Sequence, residues 1–178
     1  MEKITVLDKK FRRFIGSAKI ADRIDEMAQS INSDLQNSEL LFIGVLNGSF
    51  MFAADLYRKI NLPAQISFLK LSSYDGMEST GNIRRLIGLN ENLDGKTVVV
   101  LEDIIDSGKT LEGIIEDLAL KGAGSIKVAT LLFKPEAYKG KSKIDYIGFE
   151  IPNDFVVGYG LDYNGFGRNL DSIYTLSE

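Results

Sequence analysis

Glu102, Asp103 and Asp106 crowd three carboxylates into five positions, and no other part of the chain is better equipped for chemistry. They sit inside the run Val98–Leu111, VVVLEDIIDSGKTL. The run opens on apolar, mostly β-branched residues, the pattern of a fully buried strand. Ser107-Gly108-Lys109-Thr110 then reads as a small polar turn, after which Leu111, Ile114, Ile115 and Leu118 recur at helical spacing. A strand that passes through such a turn into a helix aims backbone N–H groups, the positive end of the helix dipole and two hydroxyls at one small volume. A phosphate fits there, and neighbouring carboxylates suit sugar hydroxyls or a divalent cation. Taken singly, Asp106 or Ser107 reads as a helix cap and the other two acids as solvated loop residues. Three acids together directly after a buried strand are not explained that way. The nucleotide P-loop is excluded, because it requires glycine five positions before Gly108 and Asp103 stands there.

The rest of the composition narrows the chemistry. The chain has 178 residues, no cysteine and no histidine. Disulfides, thiolate zinc sites and imidazole catalysis are therefore excluded. Acid–base work falls to carboxylates, Lys or Tyr, and any metal to oxygen ligands, which favours Mg²⁺. A net charge of −4 argues against general nucleic-acid binding. The N-terminal MEKITVLDKKFRRFIG lacks the apolar core of a signal peptide, and no apolar run approaches membrane-spanning length. The expectation is a cytoplasmic protein of one domain.

The elements that must hold the acidic run follow from periodicity. Residues 1–16 suit a short strand or arm. Ile20, Ile24, Met27, Ile31 and Leu35 mark one face of a helix from Ala18 to Leu35. Leu40–Leu46 reads as a buried strand ending at Asn47-Gly48-Ser49, and Phe50–Ile60 as a helix stopped near Pro63. Strands are expected at Gln65–Leu71, Ile83–Leu89, Ser125–Phe133, Tyr146–Glu150 and Phe155–Tyr159, with a helix over 107–121. Ser72–Asn82, SSYDGMESTGN, is a long polar loop that could serve as a lid. Alternating strands and helices imply an α/β fold with a mainly parallel twisted sheet flanked by helices. Ligands bind such sheets outside the carboxyl ends of the strands. Asn47–Ser49, Glu102–Thr110 and Lys134 fall at those ends, which predicts one site.

EDIIDSGKT, Glu102–Thr110, resembles the phosphoribosyl-diphosphate motif of the type I phosphoribosyltransferases, in the form used by their hypoxanthine and hypoxanthine-guanine branch. FVVGYGLDY, Phe155–Tyr163, resembles a second motif of the same branch, and the likeness runs from about residue 10 to the end. It implies one domain over residues 1–178, with a core of roughly 18–150 and a small hood from 1–17 and 151–178. It further implies that Glu102 and Asp103 hold ribose hydroxyls and associated magnesium, and that Asp106 handles the proton on the purine imidazole ring. Ser107, Gly108, Lys109 and Thr110 would wrap the 5′-phosphate, although Lys109 reads as readily as a solvent-facing charge. Lys134 would bond the 6-oxo group of the purine, which favours hypoxanthine or guanine over adenine. Phe155 would stack on the base, Val156 would read its edge through the backbone, Asp162 would ligate a second magnesium and Arg168 would contact pyrophosphate. Without the resemblance, Lys134 is a strand-end lysine, Phe155 a core residue and Asp162 a turn acid. Ser73 and Tyr74 match the mobile lid, and Asn47-Gly48-Ser49 the pyrophosphate loop, where relatives carry a cis peptide.

Two positions depart from the pattern: Asn47 and Asp154 stand where many relatives have lysine. Neither touches the central run. The resemblance implies a magnesium-dependent enzyme of purine salvage acting on a purine base and phosphoribosyl diphosphate, as a homodimer or homotetramer, with neither nucleic acid nor membrane as partner. Its rivals are a phosphoribosyl-diphosphate sensor that binds nucleic acid and a xanthine-preferring transferase. The chain has no spare length for a DNA-binding domain, and its negative charge disfavours RNA.

Overall fold

The computed structural model describes residues 3–72 and 84–177. Its elements run β1 Lys3–Val6, β2 Lys9–Ile15, α1 Ser17–Asp34, β3 Leu40–Leu46, α2 Phe50–Tyr57, β4 Ala64–Ser72, β5 Arg84–Ile87, β6 Thr97–Ile105, α3 Lys109–Leu120, β7 Ser125–Phe133, β8 Tyr146–Glu150, β9 Val156–Val157 and β10 Ile173–Leu176. Six strands form one sheet in the order β5-β4-β3-β6-β7-β8. All its pairings are parallel except that of β5 with β4.

Side chains alternate between the two faces of a strand, so each buried strand feeds two cores. Leu40 and Phe42 of β3, Val99 and Leu101 of β6, and Ala129 and Leu131 of β7 pack with the apolar stripes of α1 and α2. Leu41, Ile43, Val98, Val100 and Val128 pack with Leu111, Ile114 and Leu118 of α3. The α1 stripe is the expected one: Ile20, Ile24, Met27, Ile31 and Leu35 are all buried. Burying each such side chain contributes roughly 1.5–3 kcal/mol. Among the described residues, no helix is long and apolar enough to cross a membrane.

The terminal segments build a second, antiparallel sheet in the order β1-β2-β10-β9. Phe11, Val157 and Tyr174 form its small core with Val6. The sequence pattern suggested one short strand or arm before residue 17, where the chain makes a hairpin, and it gave no sign of β10. Four residues are too few to show a period. The strand expected over Phe155–Tyr159 shrinks to Val156–Val157, because Gly158, Tyr159 and Gly160 all take positive φ angles. α2 is shorter than expected, and α3 begins at Lys109 rather than at 107.

The sheet order reverses at β3. From β3 the chain crosses to β4 on one side, then returns to place β6 on the other. The carboxyl ends of β3 and β6 therefore flank the switch point, where an open α/β sheet leaves a crevice.

Candidate active site

β6 runs on through Ile105, so Glu102 and Asp103 belong to the strand and not to a loop after it. Glu102 pairs in register with Thr130 of β7. The alternation of β6 reverses across the two acids. Leu101 packs on the α1–α2 side, yet so does Ile104, while Ile105 joins the α3 side. Both carboxylates thereby line one cavity of about 280 Å³, with Val45, Leu46, Gly48, Leu71, Ile104 and Thr110. Two adjacent acids are costly to ionise away from water. Burial, and after it the Asp103 charge, push the Glu102 carboxyl well above its usual range. Burial also raises Asp103, to about 6, against the opposing pull of backbone hydrogen bonds and Arg168.

The loop after β3 closes the other wall. The Leu46–Asn47 peptide is cis, as the resemblance implies for this loop. A Cβ on Gly48 would lie 1.6 Å from a carboxylate oxygen of Asp103, so any larger residue there would displace that side chain. Ser49 is buried and donates to the Val45 carbonyl at 2.7 Å. Asn47 itself is exposed.

Beyond Ile105 the chain turns through Asp106–Gly108 into α3. Glu102, Ile104, Asp106, Ser107, Gly108, Lys109 and Thr110 line an adjoining cavity of about 130 Å³, part of whose wall is shared with the first. Gly108 is the N-cap of α3, in the left-handed region at φ 81°, and supplies no side-chain cap; the Ser107 hydroxyl accepts the Lys109 N–H only at 3.5 Å. The first amides of α3 thus remain available to an anion at the helix end. Lys109 is exposed at the start of the helix.

Lys134, at the carboxyl end of β7, is buried and places its Nζ 3.0 Å from an Asp106 carboxylate oxygen. Its backbone N–H donates to the Ile105 carbonyl at 3.0 Å. The lysine is fixed in the protein while Asp106 stands largely exposed.

The glycine-rich stretch after β9 approaches from the terminal sheet. A Cβ on Gly160 would lie 2.0 Å from the Gly48 carbonyl oxygen, so the two loops touch through backbone alone. Arg168 donates to the Gly160 carbonyl at 2.6 Å and pairs with Asp162 at 2.5 Å. Asp162 also accepts the Gly165 N–H at 2.6 Å. Phe155 lies apart from the two cavities' linings, 46% exposed, with Phe11 and Tyr163 at ring-centroid distances of 6.3 and 5.9 Å. Val156 is buried in β9. Ser73 and Tyr74 lie outside the described residues.

One wall therefore joins Asn47–Gly48, Asp103, Gly160, Asp162 and Arg168, and the other joins Glu102, Asp106, the Ser107–Thr110 turn and Lys134. Gly160 was visible only as part of the FVVGYGLDY run, and nothing in that run shows that it meets Gly48. Among the described residues, no three acids converge as a ready-made metal cage. The donor set still fits magnesium. A cation would favour ionisation of these two adjacent oxygen donors, which burial opposes, and Mg²⁺ is commonly held by one or two carboxylates plus substrate oxygens and water.

The family described as phosphoribosyl transferase domain matches residues 16–164. The chain is 42% identical over 159 residues to a hypoxanthine phosphoribosyltransferase of Salmonella typhimurium, covering 88% of this chain and 89% of that protein. It is 41% identical over 165 residues to a hypoxanthine-guanine phosphoribosyltransferase of Mycobacterium bovis, with 89% and 82% covered. The crystal structure of a hypoxanthine-guanine phosphoribosyltransferase from Bacillus anthracis superposes with a TM-score of 0.87 at 38% identity, covering 94% of this chain and 97% of that one.

Proposed function

The chain belongs to the phosphoribosyltransferase family, and from that premise we propose that it transfers the 5-phosphoribosyl group of phosphoribosyl diphosphate to hypoxanthine, and also to guanine, with release of pyrophosphate. It is then an enzyme of purine salvage, working in the cytoplasm as a homodimer or homotetramer. The observation that carries the choice of acceptor is the Asp106–Lys134 pair, 3.0 Å apart at the edge of the cavity. Hypoxanthine and guanine carry the 6-oxo acceptor and the imidazole-ring N–H side by side on one edge. An ammonium and a carboxylate held next to each other match that edge, Lys134 donating to the oxygen and Asp106 accepting from the N–H. Adenine would turn its amino donor toward the ammonium and is disfavoured.

The remaining residues divide the donor between them. Amides and hydroxyls of Ser107, Gly108 and Thr110 take the 5′-phosphate at the start of α3, with Lys109 balancing charge at its rim. Glu102 and Asp103 accept the ribose hydroxyls. Gly48 brings bare backbone to the pyrophosphate beside Arg168, and Phe155 and Val156 approach the base from the terminal sheet. Glu102, Asp103 and, for a second ion, Asp162 are the groups that would hold magnesium. Magnesium held by these carboxylates would supply positive charge to offset that of the departing pyrophosphate. Asp106 takes the ring proton as the new bond forms at the ribose carbon. The carboxylates beside the ribose favour positive charge developing on the sugar. Ser73 and Tyr74 would close over the donor and exclude water that could intercept it.

The test is nucleotide formation from hypoxanthine, guanine, xanthine and adenine in turn, with phosphoribosyl diphosphate and magnesium. Product from the first two that vanishes with chelator is expected. Product chiefly from xanthine or adenine would overturn the acceptor assignment, and no product from any purine would overturn the enzyme.

A further inference from the structure

The segment that leaves β7 at Lys134 folds back against the phosphate-binding turn and fastens to α3. Lys134 N–H donates to the Ile105 carbonyl at 3.0 Å and Lys139 N–H to the Ser107 carbonyl at 3.1 Å, so the two chain segments are stitched at the end of β6 and at the first residue of the turn. Between them the Tyr138 ring lies against Gly108, where a Cβ would come within 2.4 Å of a ring carbon. That ring meets Phe133 edge-on at 5.3 Å. Its hydroxyl donates to the Ser142 carbonyl at 2.7 Å. Glu112, one turn into α3, closes the loop. It accepts the N–H groups of Lys141 and Ser142, each at 2.8 Å, and the Ser142 hydroxyl at 2.9 Å. Neither Glu112 nor Tyr138 lines either cavity of the site.

The turn needs such support. Its amides act on a phosphate only when they point at one spot, yet its key residue is a left-handed glycine that offers no cap, and the Ser107 hydroxyl reaches the Lys109 N–H only at 3.5 Å. We infer that Glu112 and Tyr138 are positioning residues: they hold the Ser107–Thr110 turn, and so preorganise the site for the donor's 5′-phosphate. The hydrogen bonds, the Ser142 N–H foremost, hold the Glu112 carboxyl below its usual range, which keeps it an acceptor at neutral pH. This inference rests on the transferase reading for the identity of the anion.

The measurement is steady-state kinetics on Glu112→Gln, Glu112→Ala, Tyr138→Phe and Tyr138→Ala in the full chain, with melting temperatures alongside. Tyr138→Leu replaces Tyr138→Ala if the latter fails to fold. A positioning role predicts KM for phosphoribosyl diphosphate raised about tenfold in Glu112→Ala and Tyr138→Ala, with KM for hypoxanthine within about twofold of wild type. Glu112→Gln should rescue most of the loss, because its carbonyl oxygen can still accept both N–H groups, and Tyr138→Phe should keep the ring on Gly108. Folded variants with an unchanged donor KM, or with both KM values raised alike, would overturn the role. If wild type forms no nucleotide, the transferase reading fails on its own. The same variants are then compared by calorimetric binding of phosphoribosyl diphosphate. There about tenfold weakening supports the positioning role, and equal affinity overturns it.

Discussion

Asp106 and Lys134 share an ion pair, and a purine would present its polar edge to both. Their separate duties make separate predictions. Asp106→Asn keeps the shape but loses the base, so kcat should fall by about 10²–10⁴-fold with the melting temperature little changed; turnover near wild type would remove its role. Lys134→Gln should raise KM for hypoxanthine by about 10–100-fold, the worth of a charge-assisted hydrogen bond, while the donor KM holds. Asp103 illustrates the opposite balance. Its carboxyl is pushed up to about 6 by burial, so the folded protein without ligand carries it at a cost. Asp103→Asn should stabilise the ligand-free protein by about 1–3 kcal/mol in denaturant titrations and abolish nucleotide formation. All three charges were legible as candidates in the sequence. Their distances were not, because Lys134 is 28 residues from Asp106 and only the parallel pairing of β6 with β7 brings them together.

At the scale of elements, α3 does the positioning. It receives the chain from β6 through the Ser107–Gly108 turn, buries Leu111, Ile114 and Leu118 against the sheet, and uses Glu112 to hold the loop after β7. Because the folded Glu112 carboxyl lies below its usual 4.5, its contribution to stability is complete above about 4.5 and is lost as pH falls through the lower folded value. The melting-temperature gap between wild type and Glu112→Ala should therefore be widest near neutral pH and close on acidification; a gap independent of pH would contradict the linkage. Periodicity located α3 and its buried stripe to within two residues. It gave Glu112 no distinction from any other acid of a first helical turn, and it could not show that Tyr138 packs on Gly108, 30 positions earlier in the chain.

Over the whole molecule, the site lies where the parallel sheet reverses its order, between the carboxyl ends of β3 and β6, with the terminal sheet bringing Gly160, Asp162 and Arg168 to the same wall. A ligand that bridges these parts should stabilise all of them together. Phosphoribosyl diphosphate with magnesium, at about one hundred times its dissociation constant, should add about 2.7 kcal/mol, read as a rise in melting temperature that chelator reverses; no rise would mean that the two walls do not share a ligand. The sequence by itself determined the kind of chemistry available, oxygen donors with no thiol or imidazole, and the strand–helix alternation that makes a parallel sheet. Both follow from residue type and local period, which are properties of neighbours in the chain. Only the tertiary structure decided that Glu102 and Asp103 sit inside a strand and face one cavity, that Gly48 touches Asp103 and Gly160, and that a loop beyond Lys134 packs on the Ser107–Gly108 turn. Those are contacts between residues far apart in sequence, chosen by how buried surfaces pack, and no local pattern encodes them.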